Sequence, residues 1–458
     1  MSEFSVRGKR VVVVGGGRSG VAAARLLRDR GAAVTLTDVR AEIAEATRLL
    51  EAGITLELGY HDSRTLRTAD LIVMSPGVPW RLPIVEDARS AGVPAIGEVE
   101  LASRWLRGRV IAITGTKGKS TTTTLVGRML QAAGMDAGVG GNIGTALALQ
   151  VPASTPESIH VVEVSSFQLE GTDTFHPWIA AVLNFSPDHL DRHASVEEYA
   201  AAKQRIFANQ DAHDWTVTNT DDPAAVSLAA TSRAKRAWFG LDTRPDEGVT
   251  VVEGAVSYVT ASSRLPLVPL TAVRLIGRHL LADVVAAAAI ARLAGVTADA
   301  MTRAVEGFGG LEHAMELVAE QGGVRFINDS KATNVESARR AIESFEGGLV
   351  PILGGRFKGG DLRDLREPLR ARARAVVAIG EARDRVREAL SGAVDVQEAN
   401  SMGEAVERAF ELASPDGVVL LAPACASFDM FADYAERGRV FKQEVRRIVD
   451  RRGPSARV

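Results

Sequence analysis

Two glycine-rich turns, each set between a β-branched run and a helical pattern, constrain this chain more than any other feature of its sequence. The first, Gly15-Gly16-Gly17-Arg18-Ser19-Gly20, follows Val11–Val14 and precedes a helical stretch from Val21 to Arg30. The second, Gly115-Thr116-Lys117-Gly118-Lys119-Ser120-Thr121, follows Arg109–Thr114 and opens a helix from about Ser120 to Ala133. A β-branched run without alternation reads as a strand covered on both faces. Strand, turn and helix in this succession call for an α/β chain with parallel sheets and helices packed on them. Further strands are expected at Val34–Thr37, Leu71–Met74, Ile159–Val164 and Ala180–Leu183, and helices at Val196–Ala208 and His279–Leu293. A third series begins near Leu311, with strands at Val324–Ile327, Val350–Leu353, Ala375–Ile379 and Val418–Leu421, a closing helix Tyr434–Val449 and a frayed tail from Arg451. At about 150 residues per domain, 458 residues accommodate three domains, expected at 1–106, 107–310 and 311–458.

The first turn fits G-x-G-x-x-G, and Asp38 ends the next strand, where a carboxylate often holds a ribose. Glycines there let backbone N–H groups approach a diphosphate at a helix N-terminus. Alone, the motif admits a NAD-dependent oxidoreductase, a UDP-linked substrate or a turn with no ligand. The second turn is more specific. It reads T-G-T-x-G-K-S-T and lacks the leading glycine of a full phosphate loop, Ile113 standing in its place. Its amides can still wrap phosphate, Lys119 can neutralise it and Ser120 can ligate Mg²⁺, so ATP is the expected nucleotide. The metal needs a carboxylate, and Glu163 ends a strand where parallel sheets present ligand-facing groups. His189 and His193 form an H-x-x-x-H pair, but the acid sits at Asp191 and not beside the first histidine, which disfavours a zinc protease. Oxygen ligands with one histidine suit Mg²⁺ better. Lys203 follows on a helical pattern, with Tyr199 one turn before it.

A formal net charge of −3 offers no basic field for nucleic acid or an anionic membrane. The N-terminus has no apolar leader, and the most apolar stretch, Ala282–Ala294, carries Asp283 and Arg292. It is too short and too charged to span a bilayer, so a cytoplasmic enzyme or binding protein is expected. Cys425 is the only cysteine, which excludes an internal disulfide framework and a cysteine-rich zinc site. Among the basic residues, eight are lysine and 46 arginine. Lysine is a compact, titratable amine, whereas arginine is a planar fork that stays protonated. Positions that keep lysine therefore serve as a check on the motifs.

Eight motifs resemble, in order and over essentially the whole chain, those of the ATP-dependent Mur ligases of peptidoglycan synthesis. They are TGTKGKST (114–121), GNIG (141–144), EVSSFQLE (163–170), DHLDRH (188–193), AKQRI (202–206), INDSKATN (327–334), LGGRFKGGD (353–361) and ACASFDMF (424–431). SSFQLE and NDSKATN resemble the branch that adds D-glutamate, and the D-N-P-R signature of a diaminopimelate- or lysine-adding relative is absent. The resemblance implies a Rossmann-like N-terminal domain, a central P-loop-type mononucleotide-binding ATPase domain and a Rossmann-like C-terminal domain. It implies that ATP phosphorylates the carboxylate of UDP-N-acetylmuramoyl-L-alanine and that D-glutamate displaces the phosphate, in a monomer that serves cell-wall growth and division. Gly15, Gly17, Ser19 and Gly20 would then face the diphosphate, and Asp38, Arg40 and Ser75-Pro76-Gly77 the uridine. Asn142 would touch the substrate. Gly115 through Thr121, with Asp329 and Lys331, would hold ATP. Ser120 and Glu163 would bind one Mg²⁺, and His189 and a carbamylated Lys203 a second. Thr333, Lys358, Ser427 and Phe428 would hold D-glutamate. Five of the eight lysines, at 117, 119, 203, 331 and 358, fall in these motifs. The chain departs from the family's H-N-x-x-N and H-R pairs with Leu280, Asp283 and Ala314, which leaves adenine without its usual partners unless an arginine such as Arg278 substitutes. Those departures also leave room for a nucleotide-regulated binding protein without activity, or for a ligase of another amino acid or muramyl donor.

Overall fold

The computed structural model describes residues 4–189 and 192–452. Leu190 and Asp191 of the 188–193 motif, and the tail beyond Arg452, lie outside the described residues. No helix among the described residues is long and apolar enough to cross a membrane.

Three mostly parallel sheets organise the chain. The first contains β1 (Arg10–Val14), β2 (Ala33–Asp38), β3 (Thr55–Leu58), β4 (Leu71–Met74) and β5 (Ala95–Gly97), in the order β3-β2-β1-β4-β5. Val11–Val14 are all buried, as a central strand with helices on both faces requires. The second sheet contains β6 (Arg109–Thr114), β7 (Ala137–Gly141), β8 (Ile159–Glu163), β9 (Ile179–Val182), β10 (Trp215–Asn219), β11 (Lys235–Phe239), β12 (Gly248–Val252), β13 (Ala255–Val259) and β14 (Arg264–Pro269). Its order is β14-β13-β12-β11-β10-β9-β6-β8-β7. The last three strands pair antiparallel, which the parallel grammar of the sequence did not foresee. The third sheet contains β15 (Glu316–Gln321), β16 (Val324–Asn328), β17 (Leu349–Gly354), β18 (Val376–Ile379), β19 (Val396–Glu398) and β20 (Val418–Leu421). Its order is β15-β16-β20-β17-β18-β19, with β15 antiparallel at one edge.

The first two sheets, with residues Ala282–Glu306, form one compact unit; the third sheet and Arg274–Leu281 form another. Within the first unit two buried carboxylates fasten the helix Glu98–Ser103 to the second sheet's layer. Glu100 accepts the backbone N–H groups of Asp173, Thr174 and Phe175, and Glu98 accepts that of Ala148 at 2.7 Å. The helix expected at Val196–Ala208 stops at Gln204 and continues as a tighter turn over Arg205–Phe207. The final helix runs to Arg452, so Arg451 and Arg452 belong to it and not to a frayed tail.

Candidate active site

The second glycine loop is held in shape from beneath. Between β6 and the helix Lys119–Ala132, Gly118 caps the helix at φ +80°, the left-handed region that disfavours side chains. A Cβ there would run into the Asp283 carboxyl. Asn184, just after β9, templates the loop: its side-chain oxygen accepts the N–H groups of Thr116 (3.1 Å) and Lys117 (2.8 Å), and its amide donates to the Lys117 carbonyl. Thr116 and Ser186 exchange two further bonds. Asn184 was given no role from the sequence, because a single asparagine after a strand carries no pattern of its own.

Lys119 folds back over the loop and donates to the Gly115 and Thr116 carbonyls, both at 2.9 Å. Lys203 reaches the same place from the helix Val196–Gln204, its Nζ donating to the Gly115 carbonyl at 2.9 Å and lying 4.7 Å from the Tyr199 ring centre. Lys203 is only 1% exposed. Burial first, and then the charge of Lys119, hold its amine well below the ordinary lysine range. A neutral amine is the form that takes up CO₂.

Glu163 ends β8 beside Ile113 of β6 and Gly141 of β7. It is buried; one oxygen accepts from the Asn142 amide at 2.7 Å, and the other has no hydrogen-bond partner. A buried carboxylate oxygen without a donor is costly unless a cation serves it. His189 has a left-handed backbone (φ 56°) and lies 5.1 Å from Phe167 and 6.2 Å from Tyr199, ring centre to ring centre. His193, by contrast, is buried with its Nε2 on the Ser166 hydroxyl and its ring stacked on Phe167. Both rings pack against Phe167 and Tyr199, and the His193 N–H donates to the His189 carbonyl. Lys117 pairs with Asp188 at 3.4 Å. Burial works against the Asp188 charge, but Lys117 and His189 outweigh it and hold the carboxyl below its usual range. Ser120 and Thr121 lie in the first turn of the loop's helix.

The first glycine loop lies in the same unit. Gly15 has φ +100°, and a Cβ there would stand 2.7 Å from Val78 and 2.9 Å from Ser75; a Cβ on Gly20 would overlap the Gly15 carbonyl. Gly17 caps the helix Arg18–Asp29, which carries Ser19 in its first turn, and Gly77 is open. The turn after β4, with Ser75, Pro76 and Gly77, closes through a Val78 N–H to the Ser75 carbonyl. Asp38 accepts the Gly16 N–H (2.6 Å), the Arg40 N–H (2.8 Å) and the Arg40 guanidinium (2.9 and 2.7 Å). The Arg40 side chain leads the effects that hold its carboxyl far below the usual range. A carboxylate so engaged buttresses the loop, which weakens the reading of Asp38 as a ribose holder in a dehydrogenase.

Asp329 and Lys331, implied for the nucleotide, and Thr333, Lys358, Ser427 and Phe428, implied for the amino acid, belong to the second unit. Asp329 accepts the Met315 N–H at 3.1 Å, and burial pushes its carboxyl up to about 7. Lys331 donates its N–H to the His313 carbonyl, and Thr333 to that of Lys331. Lys358 is exposed, Ser427 buried, and Phe428 63% exposed. Backbone bonds between Arg356 and Ala426, and from Ala424 to the Ala332 carbonyl, draw the three loops together. Arg437, fully buried, donates to Ser330 and to the Cys425 carbonyl and so ties two of those loops. Sequence could not single it out among 46 arginines. Of the departing positions, Leu280 packs in this unit's core and Asp283 lies against Gly118 of the second glycine loop in the other.

Three family models match in succession: "Mur ligase MurD-like, N-terminal domain" over residues 9–97, "Mur ligase middle domain" over 113–291 and "Mur ligase, glutamate ligase domain" over 314–425. The UDP-N-acetylmuramoylalanine–D-glutamate ligase of Acidobacterium capsulatum is 48% identical, covering 96% of this chain and 97% of that protein. That of Koribacter versatilis is 44% identical over 98% and 99%. Among solved structures, the MurF ligase of Thermotoga maritima in complex with ADP has the same fold at a TM-score of 0.61, with 16% identity over 98% and 97% of the two chains. With three models in order and relatives this similar along nearly its whole length, the chain belongs to the Mur ligase family.

Proposed function

We propose that this chain is the ATP-dependent ligase that joins D-glutamate to UDP-N-acetylmuramoyl-L-alanine in peptidoglycan precursor synthesis. Its relatives carry that name. The observation that carries the chemistry is the meeting of Lys119, the buried Lys203 amine and the partnerless Glu163 oxygen around one short phosphate loop.

The reaction must bring two anions together, the alanyl carboxylate and the γ-phosphate, so catalysis is positioning and charge neutralisation. The loop amides, ordered by Asn184, cradle the phosphates, and Lys119 swings from the loop carbonyls to the transferring group. Mg²⁺ supplies further charge neutralisation when bound. Ser120 and Glu163 would hold one ion, and His189 and Lys203 a second, which fits the lone Glu163 oxygen. For this Lys203 joins CO₂, its nitrogen forming the N–C bond and releasing a proton, which places an anionic carbamate where an ammonium would repel metal. Asn142 positions Glu163 and reaches toward the substrate. The Rossmann-like domain at 1–106 takes the UDP through Gly15, Gly17, Ser19, Gly20, Asp38, Arg40 and Ser75–Gly77. The P-loop-type domain at 107–310 takes ATP. The Rossmann-like domain at 311–458 contributes Asp329 and Lys331 to nucleotide and Thr333, Lys358, Ser427 and Phe428 to D-glutamate. The amine of D-glutamate attacks the acyl phosphate, and phosphate leaves. We assign the enzyme to the cytoplasm as a monomer acting on small molecules, without nucleic-acid or membrane partners. Phosphate release from ATP that requires both co-substrates is the expected result; release that ignores either one would sink the proposal.

A further inference from the structure

Tyr199 stands one turn before Lys203 on the helix Val196–Gln204, so the two side chains share a face. It is among the largest side chains fully enclosed in the protein, at 1% exposure. Its ring stacks on Phe185 at 5.2 Å, meets His189 edge-on at 6.2 Å and lies 5.2 Å from His193, centre to centre. The Lys203 amine rests over the same ring, 4.7 Å from its centre, within the range of a cation–π contact. The Tyr199 hydroxyl meets the Thr116 hydroxyl at 3.3 Å. Counting protons orients this contact. Thr116 has a single hydroxyl proton, and it goes to the Ser186 carbonyl at 3.1 Å. The same oxygen accepts the Ser186 N–H at 3.0 Å. It can only accept again, so Tyr199 is the donor and the Thr116 hydroxyl is saturated. The helix that carries Lys203 is thereby pinned to the second glycine loop.

We propose that Tyr199 is a positioning residue: its hydroxyl, fixed on Thr116, sets the ring that holds the Lys203 amine against the loop and beside His189. The proposal rests on the reading of Lys203 as a metal-holding group of the ligase. Lysine ends a flexible four-carbon stem, so its nitrogen is placed only by what surrounds it. The Gly115 carbonyl gives one point of attachment, and the phenol ring gives the wall. Without its anchor the ring is free to tilt, and the amine over it follows. Tyr199 therefore acts through Lys203 and not on the reactants.

The test compares Tyr199→Phe, Lys203→Met and the double variant with the wild type in steady-state phosphate release, with denaturant unfolding alongside. Phenylalanine keeps the ring and its packing and deletes only the hydroxyl. Tyr199→Phe should unfold close to the wild type and lose about 3- to 10-fold in kcat, the usual worth of one hydrogen bond, with KM for the UDP-linked donor unchanged. The double variant should be no slower than Lys203→Met, because a residue that acts through another then has nothing to act on. A wild-type kcat in Tyr199→Phe overturns the proposal. So do losses that multiply in the double variant, the mark of a merely structural role. Thr116→Val removes the same bond from the other side, keeps the phenol and should lose at least as much kcat; full kcat there overturns the proposal even if Tyr199→Phe does not fold. Wild-type turnover in Lys203→Met would remove the role of Lys203 itself, and the proposal with it.

Discussion

Replacing Lys203 with methionine separates its chemical role from a structural one. Methionine keeps an unbranched stem of similar volume, so the packing loss should stay below about 1.5 kcal/mol. The Gly115 carbonyl that Lys203 bonds is not orphaned, because Lys119 donates to it at the same 2.9 Å. Burial of the ammonium meanwhile costs stability: each unit of depression in its pKa is worth about 1.4 kcal/mol, although the Gly115 carbonyl and the Thr114 hydroxyl compensate in part. These effects oppose one another, and Lys203→Met should fall within about 1.5 kcal/mol of the wild type in denaturant unfolding. The sign with pH follows from the proton count. The unfolded chain binds more protons at this site below the ordinary lysine value of 10.5, so in CO₂-free buffer the wild type should gain stability as pH rises towards that value. The methionine variant should lack that gain. Phosphate release should nevertheless drop at least 100-fold, the usual consequence of removing a group that stabilises transition-state charge. In Lys203→Ala a short carboxylic acid should restore part of the rate by supplying the missing oxygens. Lys203→Met retaining more than a tenth of wild-type turnover would refute the reasoning. So would a loss of more than about 3 kcal/mol, the range for breaking a buried charged interaction.

Three further outcomes follow from individual contacts. Gly118→Ala should cost about 1–2 kcal/mol of strain from its left-handed backbone, with added damage from the Asp283 overlap, and raise KM for ATP more than KM for the UDP donor; steady-state kinetics decide it. Asn184→Ala removes the side-chain acceptor of the Lys117 N–H and the donor to the Lys117 carbonyl, while the Thr116 N–H keeps the Asn184 backbone carbonyl, and should lower ATP affinity about tenfold in a direct binding titration, the cost of leaving loop polar groups unsatisfied. Glu98, whose carboxyl burial pushes up to about 7, has one oxygen without a partner. Its folded form keeps a proton that the unfolded chain gives up from about 4.5, so this group's contribution falls as pH rises between those values. Glu98→Gln should flatten that dependence and raise the melting temperature at pH 8; an unchanged profile would contradict it.

The parallel grammar was legible because β-branched runs and glycine turns are local signals, and the same runs set Glu163 at the end of β8. Rarity drew notice to Lys203: in a chain of 46 arginines and eight lysines, a lysine one turn after a tyrosine invites a reason, and in the fold its amine bonds the Gly115 carbonyl of the second glycine loop. Asn184, Glu98 and Glu100 stayed hidden because each acts on backbone groups distant in sequence, and a backbone N–H leaves no mark in the residue code. The antiparallel strands β12–β14 were missed for a related reason: their pairing depends on short turns within 248–269 and not on a long periodic run. Asp38 shows the converse. The motif located it correctly, but only its four hydrogen bonds reveal that it supports the loop.

The most direct test of the central claim is a substrate panel: the purified enzyme with ATP, Mg²⁺ and UDP-N-acetylmuramoyl-L-alanine, offered a set of L- and D-amino acids, with phosphate release and the new amide product measured together. The account predicts release and product with D-glutamate and neither with L-glutamate or in the absence of the UDP donor. Equal product with another amino acid, or phosphate release without an amide, would contradict it.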